Sequence, residues 1–144
     1  MPTEETAYEK FIRVYQKDDV VFEENTAGNE MYIVCSGRVR LYSQPSGGPR
    51  TQLAVLKPGE FFGEMSLVDN SPRSATALAA QDNTRLVVLD KHKFTYLIQQ
   101  QPAFAMSIME TLCRRIREAN LQLSRARPRR TSAGRGTRPK ERNG

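Results

Sequence analysis

The chain has 144 residues, of which 38% are hydrophobic and 26% charged, and its formal net charge is +6. This length fits one ordinary domain with an extension and leaves no room for a second domain. No stretch is apolar enough to cross a bilayer and no secretion signal is recognisable at the N-terminus, so we expect a cytoplasmic protein.

Short strands separated by turn residues dominate the first part of the chain. Residues 1–15 are predicted to form an N-terminal lead-in, in which residues 8–15 form either a short helix or part of the lead-in itself. Runs of strand-forming residues follow at 20–22, 31–34, 39–43, 52–56, 76–79 and 85–89. Ser46, Gly47, Gly48 and Pro49 are typical of a hairpin tip. We therefore predict a mainly β domain over residues 16–90 with flanking α-helices.

A segment between the fourth and fifth of these strands combines a glycine, an acid and an arginine. Gly63 lets the backbone approach a ligand because it has no Cβ, and the first amides of a predicted helical turn at 65–68 attract an anion. Ionised Glu64 only accepts hydrogen bonds, which suits a sugar hydroxyl. Arg73 offers a planar guanidinium that holds two phosphate oxygens at once. Together these features indicate a nucleotide site.

Helical character begins after residue 90. Residues 91–99 are predicted to form one helix, and Pro102 opens another. Apolar residues recur along the second helix at helical spacing, namely Ile108, Leu112, Ile116, Ala119 and Leu123. We expect the helices of residues 91–123 either to close over the pocket as a lid or to pair with a second copy of the chain.

Residues 124–144 differ in composition from the rest of the chain. They carry eight basic residues and one acidic residue, a net charge of +7, whereas the other 123 residues carry fourteen basic and fifteen acidic residues. Because this tail has no apolar residue larger than alanine, we expect it to be disordered. It either contacts nucleic acid or another polyanion, or serves only as a solubilising tail.

These motifs, in this order, resemble the cyclic-nucleotide-binding domain family, found in catabolite-activator-type regulators, kinase regulatory subunits and gated channels. The likeness spans residues 11–123, and residues 61–76 resemble the family's phosphate-binding cassette. Upstream it rests on Gly28-Asn29-Glu30-Met31-Tyr32-Ile33-Val34, Ser36-Gly37-Arg38-Val39 and Pro58-Gly59-Glu60. The resemblance implies a double-stranded β-helix, a jelly-roll-like β-roll, followed by C-terminal helices. Asp18, Asp19 and Asn25 stand where the family often has glycine, but asparagine tolerates the left-handed region, so we expect the turn at Asn25 to survive.

The resemblance also implies a set of ligand contacts. Glu64 would receive the ribose 2′-hydroxyl, and Arg73 would pair with the cyclic phosphate. Ser74 would offer its hydroxyl to the phosphate or to a guanine amino group. The remaining implied contacts are backbone groups of Gly63, Met65 and Ser66, pocket walls from Phe62, Leu41, Leu53 and Ala54, and Asn120 at the purine edge. The competing interpretation is that the helix around Asn120 simply exposes its polar face to solvent, without contacting a ligand.

Two functional hypotheses remain open. The first is a stand-alone sensor that binds cAMP, or cGMP, and signals to an unknown protein partner by repositioning its C-terminal helix. The second is a non-enzymatic interaction domain of the same fold that binds no cyclic nucleotide and acts through its basic tail. A homodimer through the C-terminal helix is compatible with both.

Several other functions are not expected from the sequence. No nucleophile and base set and no metal-ligand spacing is recognisable, so we expect no catalytic residues, no metal and no prosthetic group. Residues 124–144 cannot supply a helix-turn-helix, so we expect no direct sequence-specific DNA binding. Cys35 and Cys113 are expected to be buried or half-buried thiols rather than a disulfide or a metal-binding pair.

Overall fold

The computed structural model describes residues 9–126. Its strands are β1 (Ile12–Tyr15), β2 (Val20–Phe22), β3 (Glu30–Ser36), β4 (Val39–Ser43), β5 (Thr51–Leu56), β6 (Phe61–Phe62), β7 (Thr76–Ala79) and β8 (Thr84–Asp90). Its helices are α1 (Glu64–Asp69), α2 (Lys91–Gln100) and α3 (Pro102–Ala126). The chain divides after Gln100 into two compact units, the first with the strands, α1 and α2, and the second with α3.

Two four-stranded sheets make up the first unit. Neighbouring strands are antiparallel, in the orders β1-β8-β3-β6 and β2-β7-β4-β5. Side chains of both sheets meet in one core, which includes Tyr32, Val34, Phe62, Leu86 and Val88 from the first sheet and Val39, Leu56, Ala77 and Ala79 from the second. The mainly β fold class and the β-roll architecture are therefore confirmed.

The helix predicted over residues 8–15 is wrong for its second half. Residues 12–15 form β1, which pairs antiparallel with β8 from Ile12 opposite Val87 to Tyr15 opposite Thr84. Tyr15 is buried in the core at 8% exposure. Ile12, Val14 and Tyr15 are residue types that favour strands over helices. The pairing of this segment with β8 then stabilises it as a strand. Residues 1–8 of the predicted lead-in lie outside the described part of the chain.

Four non-glycine residues of the described chain adopt a positive φ, and two of them, Asp18 and Asn25, stand where the family often has glycine. Asp18 has φ 72° and Asn25 has φ 67°. Asp and Asn tolerate this region better than most residues, so the expectation that the turn at Asn25 survives is confirmed. The Asn25 turn matters for the site because its backbone N–H donates to the carbonyl of Arg73 at 2.7 Å.

The second unit consists of α3, which is longer than the sequence indicated. The helix continues through Ser124 and Arg125 to Ala126, so the expectation of disorder from residue 124 is wrong for these three positions. Arginine is a good helix former, and a cation in the last turn interacts favourably with the helix dipole. Residues 127–144 of the basic tail lie outside the described part of the chain.

Both cysteines are exposed thiols, so the expectation that they are buried or half-buried is wrong. Cys35 lies in β3 between the core residue Val34 and Ser36, on the face opposite to Tyr32 and Val34, because strand side chains alternate. Within residues 9–126, no helix has both the length and the apolar character needed to cross a membrane.

Candidate functional site

An open cavity of about 410 Å³, a volume that includes solvent at its mouth, lies in the first unit around α1 and the segment that follows it. It is lined by Phe22, Leu41, Phe62, Gly63, Glu64, Met65, Ser66, Pro72, Arg73, Ser74 and Ala75. Most of the lining therefore comes from two nearby stretches of chain, residues 62–66 and 72–75, with walls added by Phe22 of β2 and Leu41 of β4.

The backbone around α1 brings the two ends of this stretch together. Gly63 joins β6 to α1 with φ 79°, a left-handed conformation that favours glycine. The helix ends at Asp69, and the backbone N–H of the following Asn70 donates to the carbonyl of Ser66 at 3.0 Å. The buried hydroxyl of Ser66 donates to the carbonyl of Ser71 at 2.6 Å. This bond closes the turn and directs the chain back towards the cavity at Arg73.

Arg73 is the buried cation of the cavity, with only 4% of its surface exposed. Its Nη1 donates to the carbonyl of Gly63 at 3.2 Å. Its Cζ lies 4.1 Å from the centre of the Phe22 ring and 5.7 Å from that of Tyr32. The backbone of Arg73 is fixed as well, because its N–H donates to the carbonyl of Thr26 at 2.8 Å.

The charge of Arg73 is poorly compensated within the described chain. Burial lowers the pKa of Arg73, while Tyr32 and Glu30 act in the opposite direction, and a guanidinium nevertheless stays protonated in proteins. No carboxylate of residues 9–126 forms an ion pair with it, and its buried Nε has no hydrogen-bond partner there. A buried cation without a counter-ion is costly, so an anion entering the cavity would be stabilised.

The carboxylate of Glu30 acts to raise the pKa of Arg73, but other groups hold this carboxylate. The hydroxyl of Tyr32 donates to Glu30 Oε1 at 3.1 Å, and Arg13 Nη2 lies 3.9 Å from Glu30 Oε2. Burial, together with the neighbouring Glu30 carboxylate, raises the pKa of Tyr32 well above its ordinary value. Tyr32 therefore stays a neutral donor, and Glu30 acts on Arg73 only at a distance.

Glu64 lines the same cavity as Arg73 from the first position of α1. The residue is half-buried, and its Oε1 atom is itself buried. The cavity therefore contains one carboxylate and one guanidinium, the acceptor and the cation that the sequence singled out. Among residues 9–126, no group of three or more His, Cys, Asp or Glu side chains could hold a metal ion.

The structure brings eight of the eleven expected contact residues to this cavity, namely Gly63, Glu64, Met65, Ser66, Arg73, Ser74, Phe62 and Leu41. Leu53 and Ala54 are not among the residues that line it. Ala54 packs against the core, whereas Leu53 is 54% exposed, because successive side chains of β5 point to opposite faces of the sheet. Asn120 lies on α3 in the second unit, where it is exposed.

Sequence reasoning missed four residues of the site. Phe22, Pro72 and Ala75 line the cavity, and Gly28 packs against the guanidinium of Arg73. Phe22 could have been found, since an aromatic residue at the end of a strand that faces the core is a natural partner for a buried cation. Gly28 was recognised only as part of a hairpin, and its closeness to Arg73 is a long-range contact that no local pattern encodes.

The chain matches the family model described as cyclic nucleotide-binding domain over residues 12–101. It is 42% identical over 111 residues to the cyclic AMP receptor protein of Thermus thermophilus, a match that covers 77% of this chain and 51% of the relative. The chain thus spans about half the length of this curated relative.

Solved structures give the same result. The Thermus thermophilus catabolite activator protein superposes with a TM-score of 0.73 and 41% sequence identity, covering 82% of this chain and 55% of that one. A structure from work on a cyclic-GMP-dependent signalling pathway that regulates bacterial phytopathogenesis has a TM-score of 0.65 and 29% identity, covering 82% of this chain and 95% of that one. The family match, the β-roll and the cavity agree, and the chain belongs to the cyclic nucleotide-binding domain family.

Proposed function

We propose that this chain is a cyclic-nucleotide sensor that binds cAMP, with cGMP as the alternative ligand, in the cavity around α1. The observation that carries the proposal is Arg73, a buried guanidinium that lines the cavity and has no carboxylate ion pair within residues 9–126. A cyclic phosphate supplies the single negative charge that this cation lacks. A charge-assisted hydrogen bond in such a sheltered site is stronger than one between neutral groups.

Each group in the cavity has a distinct role in this proposal. Arg73 pairs with the cyclic phosphate, and Glu64 accepts the ribose 2′-hydroxyl. Gly63, Met65 and Ser66 contribute backbone groups; the side chain of Ser66 is already engaged with the Ser71 carbonyl, which fits this division. Ser74 is exposed at the cavity, so its hydroxyl can reach either the phosphate or a guanine amino group.

The base-binding side of the proposal rests on fewer observations. Leu41 and Phe62 supply apolar surface at the cavity, and Met65 is 57% exposed there, which suits a planar base. Leu53, Ala54 and Asn120 remain predicted contacts. The Thermus relative is named for cyclic AMP and the second structural relative comes from cyclic-GMP signalling, so the comparisons support either base.

The signal, in this proposal, leaves through the C-terminal helix, whose pose differs between the free and bound forms. Ligand can shift the helix only if it binds the two forms with different affinity. Large apolar side chains on α3 are exposed, namely Met106, Met109, Ile116, Leu121 and Leu123. They provide a surface for a protein partner or for a second copy of the chain. We propose no catalytic activity and no prosthetic group, and a cytoplasmic location stays a prediction.

The competing proposal is an interaction domain that binds no cyclic nucleotide and acts through its basic tail. The observation in its favour is the tail's composition, with eight basic residues in the last 21. Arg73 argues against it, because a domain with no anionic ligand gains nothing from an uncompensated buried cation.

Isothermal titration of the purified protein with cAMP and then cGMP tests the proposal. We expect binding at micromolar concentration or tighter with at least one of them, and the tighter ligand identifies the preferred base. Absence of heat and of any thermal stabilisation with both nucleotides would support the interaction domain instead. A protein that binds a ligand only in its folded state is stabilised by it, so the thermal measurement is an independent check.

A further inference from the structure

Gly28 lies against the guanidinium of Arg73 more closely than a residue with a side chain could. A Cβ at Gly28 would lie 2.2 Å from Nε, 2.4 Å from Cζ and 2.6 Å from Nη2 of Arg73. These distances are far shorter than ordinary van der Waals contact. The space in which the guanidinium lies therefore exists because residue 28 has no side chain.

The backbone conformation at residue 28 does not require a glycine. Gly63, the other glycine beside Arg73, has φ 79°, a conformation that disfavours side chains whatever space is available. Gly28 is not among the positive-φ residues of the described chain. Its backbone is thus one that alanine can adopt, and the conflict with a side chain is confined to Arg73.

The loop that carries Gly28 is tied to the backbone of Arg73. The N–H of Arg73 donates to the carbonyl of Thr26 at 2.8 Å, and the N–H of Asn25 donates to the carbonyl of Arg73 at 2.7 Å. These two bonds hold the loop and residue 73 at a fixed separation. A methyl group at residue 28 would therefore be accommodated by movement of the flexible end of the Arg73 side chain rather than of the backbone.

We propose that Gly28 is a positioning residue that keeps the Arg73 guanidinium in place, against Phe22 and the Gly63 carbonyl, for the phosphate of the ligand. This inference rests on the proposed function, since it concerns the same cation. A guanidinium pairs well with phosphate only in a defined planar orientation, so a displaced side chain keeps its charge and loses its geometry. Gly28 thereby controls ligand affinity without touching the ligand.

The central experiment measures cAMP affinity for the wild type, Gly28→Ala, Arg73→Ala and the double variant. Alanine ends at Cβ, so it has no atom at the positions of Nε, Cζ and Nη2 that a Cβ at residue 28 would meet. We expect Gly28→Ala to weaken binding about tenfold or more in the wild-type background. In the Arg73→Ala background the same change should weaken the remaining affinity less than about twofold, because the conflicting atoms are gone.

Gly48→Ala is the matched control. Gly48 also has no positive φ, lies in the β4–β5 hairpin, and a Cβ there would be 3.3 Å from Pro45 Cγ as its nearest neighbour. We expect its cAMP affinity to equal that of the wild type. Unchanged affinity of Gly28→Ala, or an equal loss in the wild-type and the Arg73→Ala backgrounds, would overturn the proposal.

A second measurement needs no ligand and separates this proposal from the proposed function. The buried Nε–H of Arg73 is expected to give a resolved NMR signal, assigned by its loss in Arg73→Ala. We expect Gly28→Ala to shift or broaden this signal, and Gly48→Ala to leave it unchanged. If the signal moves but the wild type binds neither nucleotide, the proposed function fails and the positioning of Arg73 stands. If affinity falls while the signal stays, the positioning role is wrong.

Folding of the variants gives a further outcome. If Gly28→Ala does not fold but the double variant does, the conflict with the guanidinium is the cause, as proposed. If neither folds, Gly28 serves the fold itself and the positioning role is wrong.

Discussion

Two arginines of the β-roll lie over aromatic rings, and only one of the two lies in the candidate nucleotide site. Arg73 Cζ is 4.1 Å from the centre of the Phe22 ring, and Arg50 Cζ is 3.8 Å from that of Tyr42. Arg73 is 4% exposed, whereas Arg50 is exposed at the end of the β4–β5 hairpin. Contact with a ring is therefore common to both, and burial distinguishes them.

This difference teaches where binding energy for an anion comes from. An exposed cation over a ring is hydrated and gains about 0.5–1 kcal/mol from the contact. A buried guanidinium has lost its water, so a partner anion restores interactions that folding removed. Both arginines have the same local chemistry, and the enclosure by Gly28, Gly63 and Phe22 gives Arg73 its separate role.

The largest expected effect comes from replacing each arginine in turn. Arg73→Ala should weaken cAMP binding by about 2 kcal/mol or more, because it removes a charge-assisted contact to the phosphate. Arg50→Ala, which makes the same change in charge at an exposed position, should leave affinity unchanged. Titration of both variants makes the comparison. Equal affinity of Arg73→Ala and wild type would refute the assignment of Arg73 to the phosphate.

Replacing the two rings should give a smaller effect of the same kind. Phe22→Leu keeps an apolar side chain in the cavity wall but removes the ring beneath Arg73, and we expect cAMP affinity to fall by about 0.5–1 kcal/mol. Tyr42→Leu makes the corresponding change beneath Arg50 and should have no effect on affinity. A loss of the same size in both variants would show that the rings act through the fold rather than through Arg73.

Glu24 connects the loop near Arg73 to the hairpin that carries Arg50. Its contribution to the stability of the fold should depend on pH. Its carboxylate accepts bonds from the Gln44 N–H at 2.9 Å and the Ser43 hydroxyl at 2.8 Å, which lower the pKa of Glu24. A lowered folded-state pKa stabilises the protein above the unfolded-state pKa, and this contribution is lost as the pH falls through the folded-state value. Glu24→Gln should therefore reduce stability at neutral pH.

Urea denaturation of wild type and Glu24→Gln at several pH values checks this prediction. The difference in unfolding free energy between the two proteins should be largest at neutral pH and should shrink as the pH falls below the ordinary glutamate pKa of 4.5. A difference that stays constant with pH would mean that the carboxylate charge has no part in holding the loop.

The smallest expected effect on nucleotide binding comes from the basic tail. Deletion of residues 127–144 removes seven of the eight basic residues of the tail but leaves α3 complete. We expect cAMP affinity to be nearly unchanged and any binding to a polyanion to weaken in a salt-dependent way. A large loss of cAMP affinity would show that the tail contributes to the site.

The features that could be predicted from the sequence depend on residues that are close together along the chain. Gly63, Glu64 and Arg73 lie within eleven residues of each other, and their residue types alone indicate a sugar and a phosphate. The strand predicted at 39–43 was found with the same bounds, and it contains the strong strand formers Val39 and Tyr42.

The missed parts depend on contacts between distant segments. The strand at Ile12–Tyr15 is stabilised by pairing with β8, more than 65 residues away, and residues 8–15 alone do not reveal that partner. Gly28 and Phe22 meet Arg73 only after the two sheets have formed. Leu53 is exposed because it precedes the inward-facing Ala54 in β5, and only the pairing of β5 within the sheet shows which of the two residues faces the core.

A crystal structure of the protein with cAMP tests the central claim most directly. We predict a phosphate oxygen within about 2.7–2.9 Å of a guanidinium nitrogen of Arg73, with the ribose 2′-hydroxyl on the Glu64 carboxylate. A nucleotide bound with its phosphate on other groups, while Arg73 keeps only its bond to the Gly63 carbonyl, would contradict the account.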